Sequence, residues 1–413
     1  MRRLVALLLG GALLLAACRG GGSASDAGTS ASRSAEASSG ADASAPAPRA
    51  EPGDPLHDSE RAMAERLRGL FPGIEPTQRR IGLDELLVGQ VPDGIPSIDA
   101  PRFVEASDAE AWLDGVEPVV VLEIAGDARA YPLQILMWHE IVNDVVGGTP
   151  VAVTFCPLCN TAITFERAVD GKPREFGVSG LLRRSDLVMY DRTANSLWQQ
   201  ITGEAIVGVD AGARLAFVPS VIASFEEFRK AYPDGQVLSR DTGFSRDYGR
   251  NPYSGYDEVG SGTLFRVAEF DDGRLDAKER VLTVELEGDA VAFPFGALSS
   301  RVVIESEVAG QPVVAFWQSG AVSALDESFI VGSRNVGSAA AYRPLLDGGR
   351  LTFEAVDGKI IDMETASTWD VFGRGVDGPL AGRALEPLPS GNHFWFAWSV
   401  FQPETRVVPG DEG

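Results

Sequence analysis

Two cysteines with a spacing typical of redox and metal sites stand in the first half of the chain. Cys156 and Cys159 lie in TPVAVTFCPLCNTAITFER, residues 149–167, and only one other cysteine occurs among the 413 residues. Three chemistries fit a Cys-x-x-Cys pair. It can close and open a disulfide, supply two soft ligands to a metal ion, or form an inert disulfide that stiffens a turn. The spacing alone does not choose among them.

Three residues are candidate partners of the cysteine pair. His139 and Glu140 lie near it in the sequence, and His393 lies far from it. His139 and Glu140 lie in LMWHEIVND, and either side chain would assist proton transfer at a redox pair. In the metal hypothesis, Cys156 and Cys159 bind copper or zinc, and His139 or His393 is the third ligand. A lone histidine in an apolar segment is more often a packed core residue, and His139 has that alternative.

The residues after the cysteine pair predict a strand and not a helix. In NTAITFER, the side chains of Thr161, Ile163 and Phe165 follow the two-residue period of a β-strand. A thioredoxin places its cysteine pair at the start of a helix, whose N-terminus lowers the thiol pKa. We therefore expect a different fold. A zinc ribbon is not expected, because the sequence has no second Cys-x-x-Cys.

The N-terminal residues predict export and lipidation. Two arginines precede the apolar run 4–15, and Leu-Ala-Ala-Cys ends at Cys18. This pattern is typical of a bacterial lipoprotein signal peptide, here residues 1–17, which is removed to leave a lipid on Cys18. An ordinary signal peptide with a chance cysteine is the alternative. We expect the protein to be anchored through this lipid to a membrane, on the extracytoplasmic side of the bacterial cell envelope.

The next segment predicts a flexible tether. Residues 18–55 are mainly Gly, Ser, Ala, Pro, Asp and Arg, which bury too little apolar surface to offset the entropy of ordering. Because the protein is predicted to be exported, Cys156 and Cys159 would work in an oxidising compartment. There they would exchange with each other, with an envelope thiol protein or with a small thiol.

The charge of the chain bears on its partners. The formal net charge is −23 at pH 7. Such acidity disfavours nucleic acid as a partner, because the phosphate backbone repels it. The sequence shows no sign of a nucleotide or flavin site.

Two parts of the body resemble each other. Residues 126–162 and 288–324 align without a gap at an offset of 162, and both contain Gly-Asp-Ala, an aromatic-Pro pair and a later Pro-Val. Further on, DRTANSLW at 191–198 resembles DMETASTW at 362–369. The common order of these matches predicts a tandem duplication.

The duplication separates scaffold from chemistry. Cys156 aligns with Gln318, Cys159 with Ala321, and His139 with Arg301, so the reactive side chains belong to one copy. The predicted divisions are a first half at 56–242, an aromatic segment at 243–262 and a second, degenerate half at 263–413.

Most segments of both copies predict strands. PVVVLEIA, PVAVTF and DLVMYD are rich in β-branched residues and are bounded by Gly, Asp and Pro. HDSERAMAERLRGLF, residues 57–71, predicts one of few helices. The expected fold is α+β, with a β-rich body of two tandem homologous halves that follows the signal peptide and the disordered tether.

Several motifs resemble a bacterial family known only as domain of unknown function number 3179. They are DGIPSIDAPRFV, WHEIVND, TFCPLCNTA, SGLLRRSDLVMYDRTANSLWQQITGEAIVG, YGRNPYSGYD and HFWFAWSVFQPET, which together cover roughly residues 90–408. Exported members look common in this family, and the resemblance implies no established activity. Some members carry selenocysteine within the Cys-x-x-Cys motif. The resemblance therefore implies redox use of Cys156 or Cys159.

Four residues of these motifs are candidate supporting groups. Arg184 would stabilise a thiolate or bind an anionic substrate, with an exposed ion pair as the alternative. Arg250, Tyr253 and Tyr256 would cover the thiol loop as a lid from the aromatic segment. The leading hypothesis is a lipid-anchored envelope protein with thiol–disulfide oxidoreductase chemistry at Cys156 and Cys159. Metal binding and an inert structural module are the alternatives.

Overall fold

The computed structural model of the protein describes residues 50–265, 267 and 270–409. The predicted signal peptide, Cys18 and nearly all of the predicted tether lie outside these residues. The described part is rich in β-structure and has few helices, as the sequence predicts. Within it, no helix is both long enough and apolar enough to cross a membrane.

The helices of the described residues are short, apart from the first. They are α1 (Asp58–Leu70), α2 (Ala106–Ala109), α3 (Leu133–His139), α4 (Phe225–Ala231), α5 (Phe295–Arg301) and α6 (Trp395–Ser399), with 3-10 turns at Leu83–Glu85 and Ile330–Gly332. α1 matches the helix predicted at 57–71 and buries Ala64 and Leu67. Its Glu60 forms a buried ion pair with Arg79 at 2.9 Å, which ties the helix to the sheets.

The strands fall into two successive sets. The first set is β1 (Leu86–Val88), β2 (Phe103–Glu105), β3 (Pro118–Ile124), β4 (Asp127–Pro132), β5 (Ile141–Val146), β6 (Thr149–Cys156), β7 (Thr161–Glu166), β8 (Ala168–Val169), β9 (Lys172–Pro173), β10 (Phe176–Arg183), β11 (Asp186–Asp191), β12 (Leu197–Gln199), β13 (Ala205–Val207), β14 (Ala216–Val218), β15 (Val221–Ser224) and β16 (Gln236–Leu238). The second set is β17 (Arg280–Leu286), β18 (Asp289–Pro294), β19 (Val303–Val308), β20 (Gln311–Gln318), β21 (Ser338–Arg343), β22 (Leu345–Leu346), β23 (Gly349–Arg350), β24 (Phe353–Val356), β25 (Lys359–Asp362), β26 (Thr368–Trp369), β27 (Gly375–Asp377), β28 (Glu386–Pro387), β29 (Ser390–Phe394) and β30 (Arg406–Val407).

The two sets pair into sheets of corresponding order. In the first set the sheets are β15-β3-β4-β16-β2, β14-β7-β6-β5 and β1-β10-β11-β12-β13. In the second they are β29-β17-β18-β30, β19-β20-β21-β28 and β24-β25-β26-β27, and β8-β9 and β22-β23 are separate hairpins. Neighbouring strands run antiparallel, except that β16 lies parallel to β4 and β30 lies parallel to β18.

One run of elements has the same lengths in both sets. β3, β4, α3, β5 and β6 occupy residues 118–156, and β17, β18, α5, β19 and β20 occupy residues 280–318. Every bound in the second run lies at the alignment offset of the sequence analysis. Glu140, after α3, and Val302, after α5, both have left-handed backbone angles, with φ of 56° and 66°. The conformation at Glu140 therefore belongs to the fold, whereas its carboxyl group does not recur.

The hairpin of β6 and β7 lies inside the protein. Every residue from 151 to 165 is buried, so both faces of this hairpin are covered. Polar side chains within it have partners: the Thr154 hydroxyl donates to the Ile163 carbonyl at 2.7 Å and accepts from Gln200 Nε2 at 2.8 Å. Burial on both faces explains why apolar residues form a nearly continuous run in β6 instead of alternating.

Candidate functional site

The thiol loop, residues 156–161, connects β6 to β7. Cys156 ends β6 and pairs in register with Thr161, which begins β7. The Cys159 N–H donates to the Cys156 carbonyl at 3.2 Å, and Asn160 has a left-handed conformation with φ 49°. The loop is a tight turn between antiparallel strands. No helix begins at this loop, whereas the cysteine pair of a thioredoxin lies at the start of a helix. The sequence predicts this difference.

Both thiols lie inside the protein and close to a carboxylate. Cys156 is 2% exposed and Cys159 is 0% exposed, and both are free of disulfides. The two sulfurs and a carboxylate oxygen of Asp186 all lie within 4.8 Å of one another. The Cys159 thiol also donates to the Ser185 carbonyl at 3.4 Å. Three groups that bind protons or metals therefore meet at one buried point.

Asp186 is fixed through one of its two oxygens. Its Oδ2 accepts hydrogen bonds from Gln199 Nε2 at 2.6 Å and from the Ile201 N–H at 3.0 Å. Its Oδ1 is buried and has no hydrogen-bond partner among the described residues. Burial raises the pKa of Asp186 to about 6, against the opposing effect of these hydrogen bonds. The side chain is thus mostly ionised at neutral pH and can accept a proton.

The turn that carries Asp186 is part of a regular hairpin. β10 and β11 are joined by Arg184 and Ser185, both with positive φ, at 52° and 68°. Two successive left-handed residues are typical of the tight turns that suit the twist of a hairpin. In the second set, the turn between β24 and β25 is Asp357-Gly358, and the first residue of β25 is Lys359, where β11 begins with Asp186.

Glu140 is a second buried carboxyl group of this site. It is 8% exposed, and burial raises its pKa to about 8, with a further contribution from the charge of Asp186. The Glu140 charge in turn contributes to a raised pKa of Cys156. Glu140 is therefore mainly protonated at neutral pH.

The thiols themselves resist ionisation. Burial is the largest cause of the raised pKa of both cysteines, and the pKa of Cys159 lies well above its ordinary value. The charge of Asp186 raises the pKa of both thiols further. Because the thiolate is the reactive form, any reaction here requires a proton to leave a sulfur for a neighbouring acceptor.

The aromatic segment and the second set of strands cover the thiol loop. The Tyr256 hydroxyl donates to the Leu158 carbonyl at 3.0 Å, and the Lys278 ammonium group lies 4.0 Å from the Tyr256 ring centre. The Phe394 N–H of β29 donates to the Cys159 carbonyl at 2.9 Å. The loop is therefore held by contacts with residues far from it in sequence.

A cavity of about 230 Å³ lies beside the thiol loop and the aromatic segment that covers it. Its walls include Leu158 of the thiol loop, Glu140 and Tyr253. The cavity has an opening to solvent, so a small molecule can reach the vicinity of the loop while the cysteines remain buried.

One known protein family matches most of the chain, including the thiol loop and its two carboxyl groups. The family described as protein of unknown function (DUF3179) matches residues 92–405. The chain belongs to this DUF3179 family. No curated protein and no solved structure matches the chain. The matched residues of this DUF3179 protein include both cysteines, both carboxyl groups and both sets of recurring strands, from β2 through β29.

His139 has partners other than the thiols in this DUF3179 protein. Its Nδ1 lies 2.7 Å from the Pro96 carbonyl, and its Nε2 lies 2.7 Å from the Tyr248 hydroxyl. It is fully buried, and burial lowers its pKa. The group that surrounds the two sulfurs contains Asp186, and His139 is not a member of it.

The arginines named in the sequence analysis also have other partners. Arg184 donates to the Val400 carbonyl at 2.5 Å and lies 3.7 Å from Glu85. Arg250 lies 3.6 Å from Asp247, and its side chain is 51% exposed. Tyr253, in contrast, does approach the site, since it lines the same cavity as Leu158 and Glu140.

Asp186 is not among the site residues predicted from the sequence. This residue stands next to Arg184 and Ser185 in SGLLRRSDL, a motif in which only an arginine was selected. One signal in the sequence was available: an ionisable residue at the start of an otherwise apolar segment, DLVMY, that predicts a buried strand. Its distance to the thiols depends on how the sheet of β10 and β11 packs against the sheet of β6 and β7, and this packing could not be read from the sequence.

Proposed function

We propose that this DUF3179 protein is a thiol–disulfide redox protein whose reacting groups are Cys156 and Cys159. The observation that carries the proposal is the Asp186 carboxylate within 4.8 Å of both sulfurs. A buried dithiol needs a proton acceptor to form its thiolate, and a buried carboxylate with one unpaired oxygen supplies one.

In this proposal the two cysteines have different roles. Cys156 is the attacking residue, because it is 2% exposed, whereas Cys159 is fully buried. Cys159 is the resolving residue and bonds to the deeper carbonyl of Ser185. Cys156 Sγ bonds to one sulfur of a substrate disulfide and one thiol leaves. Cys159 Sγ then bonds to Cys156 Sγ, and the second thiol leaves with the remaining proton. The protein loses two electrons and two protons, and the substrate gains both.

The test is to trap the mixed disulfide. The Cys159→Ser variant, treated with bis(2-hydroxyethyl) disulfide, should keep one mercaptoethanol adduct on Cys156, because the resolving thiol is gone. The Cys156→Ser variant is the matched control and should form the adduct far more slowly. Mass spectrometry of the intact, folded proteins measures both. Absence of any adduct on folded Cys159→Ser contradicts the proposed roles.

Metal binding is a second candidate function, because Asp186 Oδ1 has no partner among the described residues. Two thiolates and one carboxylate oxygen form a three-ligand set with one open position, as in catalytic zinc sites. The oxygen ligand favours zinc over copper(I), which prefers sulfur. This set replaces the expected His139 with Asp186.

Metal analysis of protein purified without an affinity tag tests this second candidate. Stoichiometric zinc in the wild type, lost in Asp186→Asn as well as in Cys156→Ser, would support the metal site. If the protein contains no metal and still forms the mixed disulfide, the metal site is excluded and the redox function remains.

We infer further that the two sets of strands arose by tandem duplication, with halves at 56–242 and 263–413 joined by the aromatic segment 243–262. The support is the equal lengths and equal order of the elements in residues 118–156 and 280–318. The proposed location remains the extracytoplasmic side of the envelope, through a signal peptide at 1–17 and lipid on Cys18. A Cys18→Ala variant that leaves the membrane fraction would support this anchor.

A further inference from the structure

A cavity beside the thiols has an unusual distribution of polar groups. Most of its wall is apolar, and the described lining residues include just two ionisable side chains, Glu140 and Tyr253. The apolar lining residues are Ile95, Leu158, Val178, Leu181, Leu182, Leu187, Leu264 and Phe265. An apolar wall disfavours charged ligands, because they would lose their hydration without compensation.

The two ionisable groups of this cavity have no side-chain hydrogen bond within the described residues, and Gln90 is a further polar side chain of the wall. Among the described residues, neither the Glu140 carboxyl nor the Tyr253 hydroxyl takes part in a side-chain hydrogen bond, although Glu140 is only 8% exposed. Glu140 is buried and Tyr253 is partly buried, so a ligand in the cavity would supply hydrogen-bond partners to both side chains. Glu140 and Tyr253 would form the polar end of such a site.

The side chain of Glu140 is not demanded by the fold. The corresponding position in the second set of strands holds Val302, with nearly the same backbone conformation. A valine would satisfy the packing and avoid a buried carboxyl group. The glutamate at the cavity therefore points to a role in binding.

We propose that this cavity binds uncharged, mostly apolar disulfides of low molecular weight and delivers them to Cys156, with Glu140 and Tyr253 donating hydrogen bonds to the polar end of the molecule. The proposal rests on the redox function proposed above and names its substrate class. The cavity volume of about 230 Å³ is large enough for a disulfide of low molecular weight. The sulfurs are 2% and 0% exposed, and this favours a small disulfide over one held in a folded protein.

The reaction balances with this substrate alone. Cys156 Sγ displaces one alkyl thiol from the bound disulfide, and Cys159 Sγ displaces the second from the mixed disulfide. Each departing sulfur takes one of the two protons that the cysteines lose. The products are two thiols and the Cys156–Cys159 disulfide.

The experiment compares oxidation of the reduced protein by three disulfides. They are uncharged bis(2-hydroxyethyl) disulfide, cationic cystamine and anionic oxidised glutathione. The same reactions on the protein unfolded in urea, where the cavity does not exist, give the intrinsic reactivities. After this correction, we expect the folded protein to favour the uncharged disulfide at least about tenfold. Equal corrected rates would overturn the proposal.

Variants of the cavity sharpen this comparison. Leu182→Trp would fill the cavity and should slow oxidation by the uncharged disulfide severalfold, whereas Val145→Trp, at a position 46% exposed, is the matched control and should not. Glu140→Val, which copies the second set of strands, should slow it too, and Glu140→Gln should restore the rate because an amide also donates a hydrogen bond. If the Leu182→Trp and Glu140→Val variants are oxidised as fast as the wild type, the proposed binding site is wrong.

The outcome separates this proposal from the redox function on which it depends. If the cysteine pair reaches equilibrium with dithiothreitol but shows no preference by charge, the cavity proposal fails and the redox function stands. If the pair never forms a disulfide with any reagent while folded, the redox function fails.

Discussion

Gln199 donates a hydrogen bond of 2.6 Å to Asp186 from a neighbouring strand. This contact holds one carboxylate oxygen and leaves the other without a partner among the described residues. The amide thus orients the proton acceptor of the proposed redox pair.

Replacing Asp186 with asparagine should slow thiol–disulfide exchange. An amide of the same shape still accepts the hydrogen bond from Gln199, but it cannot take a proton from either thiol. Loss of a general base typically costs about 10²–10⁴-fold in rate. Stopped-flow fluorescence at pH 7 with bis(2-hydroxyethyl) disulfide measures the change, with Gln199→Leu as a milder variant that disturbs only the orientation. An unchanged rate in folded Asp186→Asn contradicts the assigned role.

Glu140 should make the folded protein less stable as the pH rises. In the unfolded chain this carboxyl loses its proton near its ordinary pKa of 4.5, whereas burial raises its pKa in the folded protein to about 8. Between these values the folded state binds more protons, so the free energy of unfolding falls as the pH rises.

The Glu140→Gln variant removes this contribution. Relative to the wild type, its free energy of unfolding should increase between pH 5 and pH 8, by an amount on the order of 3 kcal/mol. Urea unfolding of both proteins at several pH values measures the difference. Parallel pH profiles would show that Glu140 is not protonated by burial.

Asp362 should contribute to stability without contributing to chemistry. It accepts a hydrogen bond from the buried indole of Trp369 at 2.9 Å, and Asp191 accepts one from Trp198 at 3.3 Å. Removing the acceptor in Asp362→Ala leaves a buried N–H unpaired, which costs about 1–3 kcal/mol. Urea unfolding should show this loss, and Asp362→Asn should recover part of it. A slower redox exchange in a fully folded Asp362→Ala would contradict a purely structural role for Asp362.

Much of the local structure could be predicted from the sequence. The alternation in NTAITFER indicates a strand after the cysteine pair, and β7 occupies residues Thr161–Glu166. The aromatic run HFWFAW near the C-terminus predicts a packed core, and Trp395 and Phe396 are fully buried. Such features depend on neighbours in the chain, and the pattern of residue types records them.

The composition of the site could not be predicted in the same way. His139 and Glu140 are adjacent in sequence, but the helix α3 ends between them and the left-handed turn at Glu140 separates their surroundings. His139 bonds to Pro96 and Tyr248, while Glu140 lines the cavity. Asp186 reaches the thiols because the sheet of β10 and β11 packs against the sheet of β6 and β7, and this packing does not follow from spacing in the sequence.

A redox titration of the folded protein tests the central claim most directly. Protein equilibrated with dithiothreitol at graded ratios of its reduced and oxidised forms is quenched with acid, alkylated and weighed by mass spectrometry. We expect a reversible two-electron transition between the Cys156–Cys159 dithiol and its disulfide, complete within the range of the reagent. A pair that stays reduced at every ratio, while the protein unfolded in urea oxidises readily, would contradict the redox function.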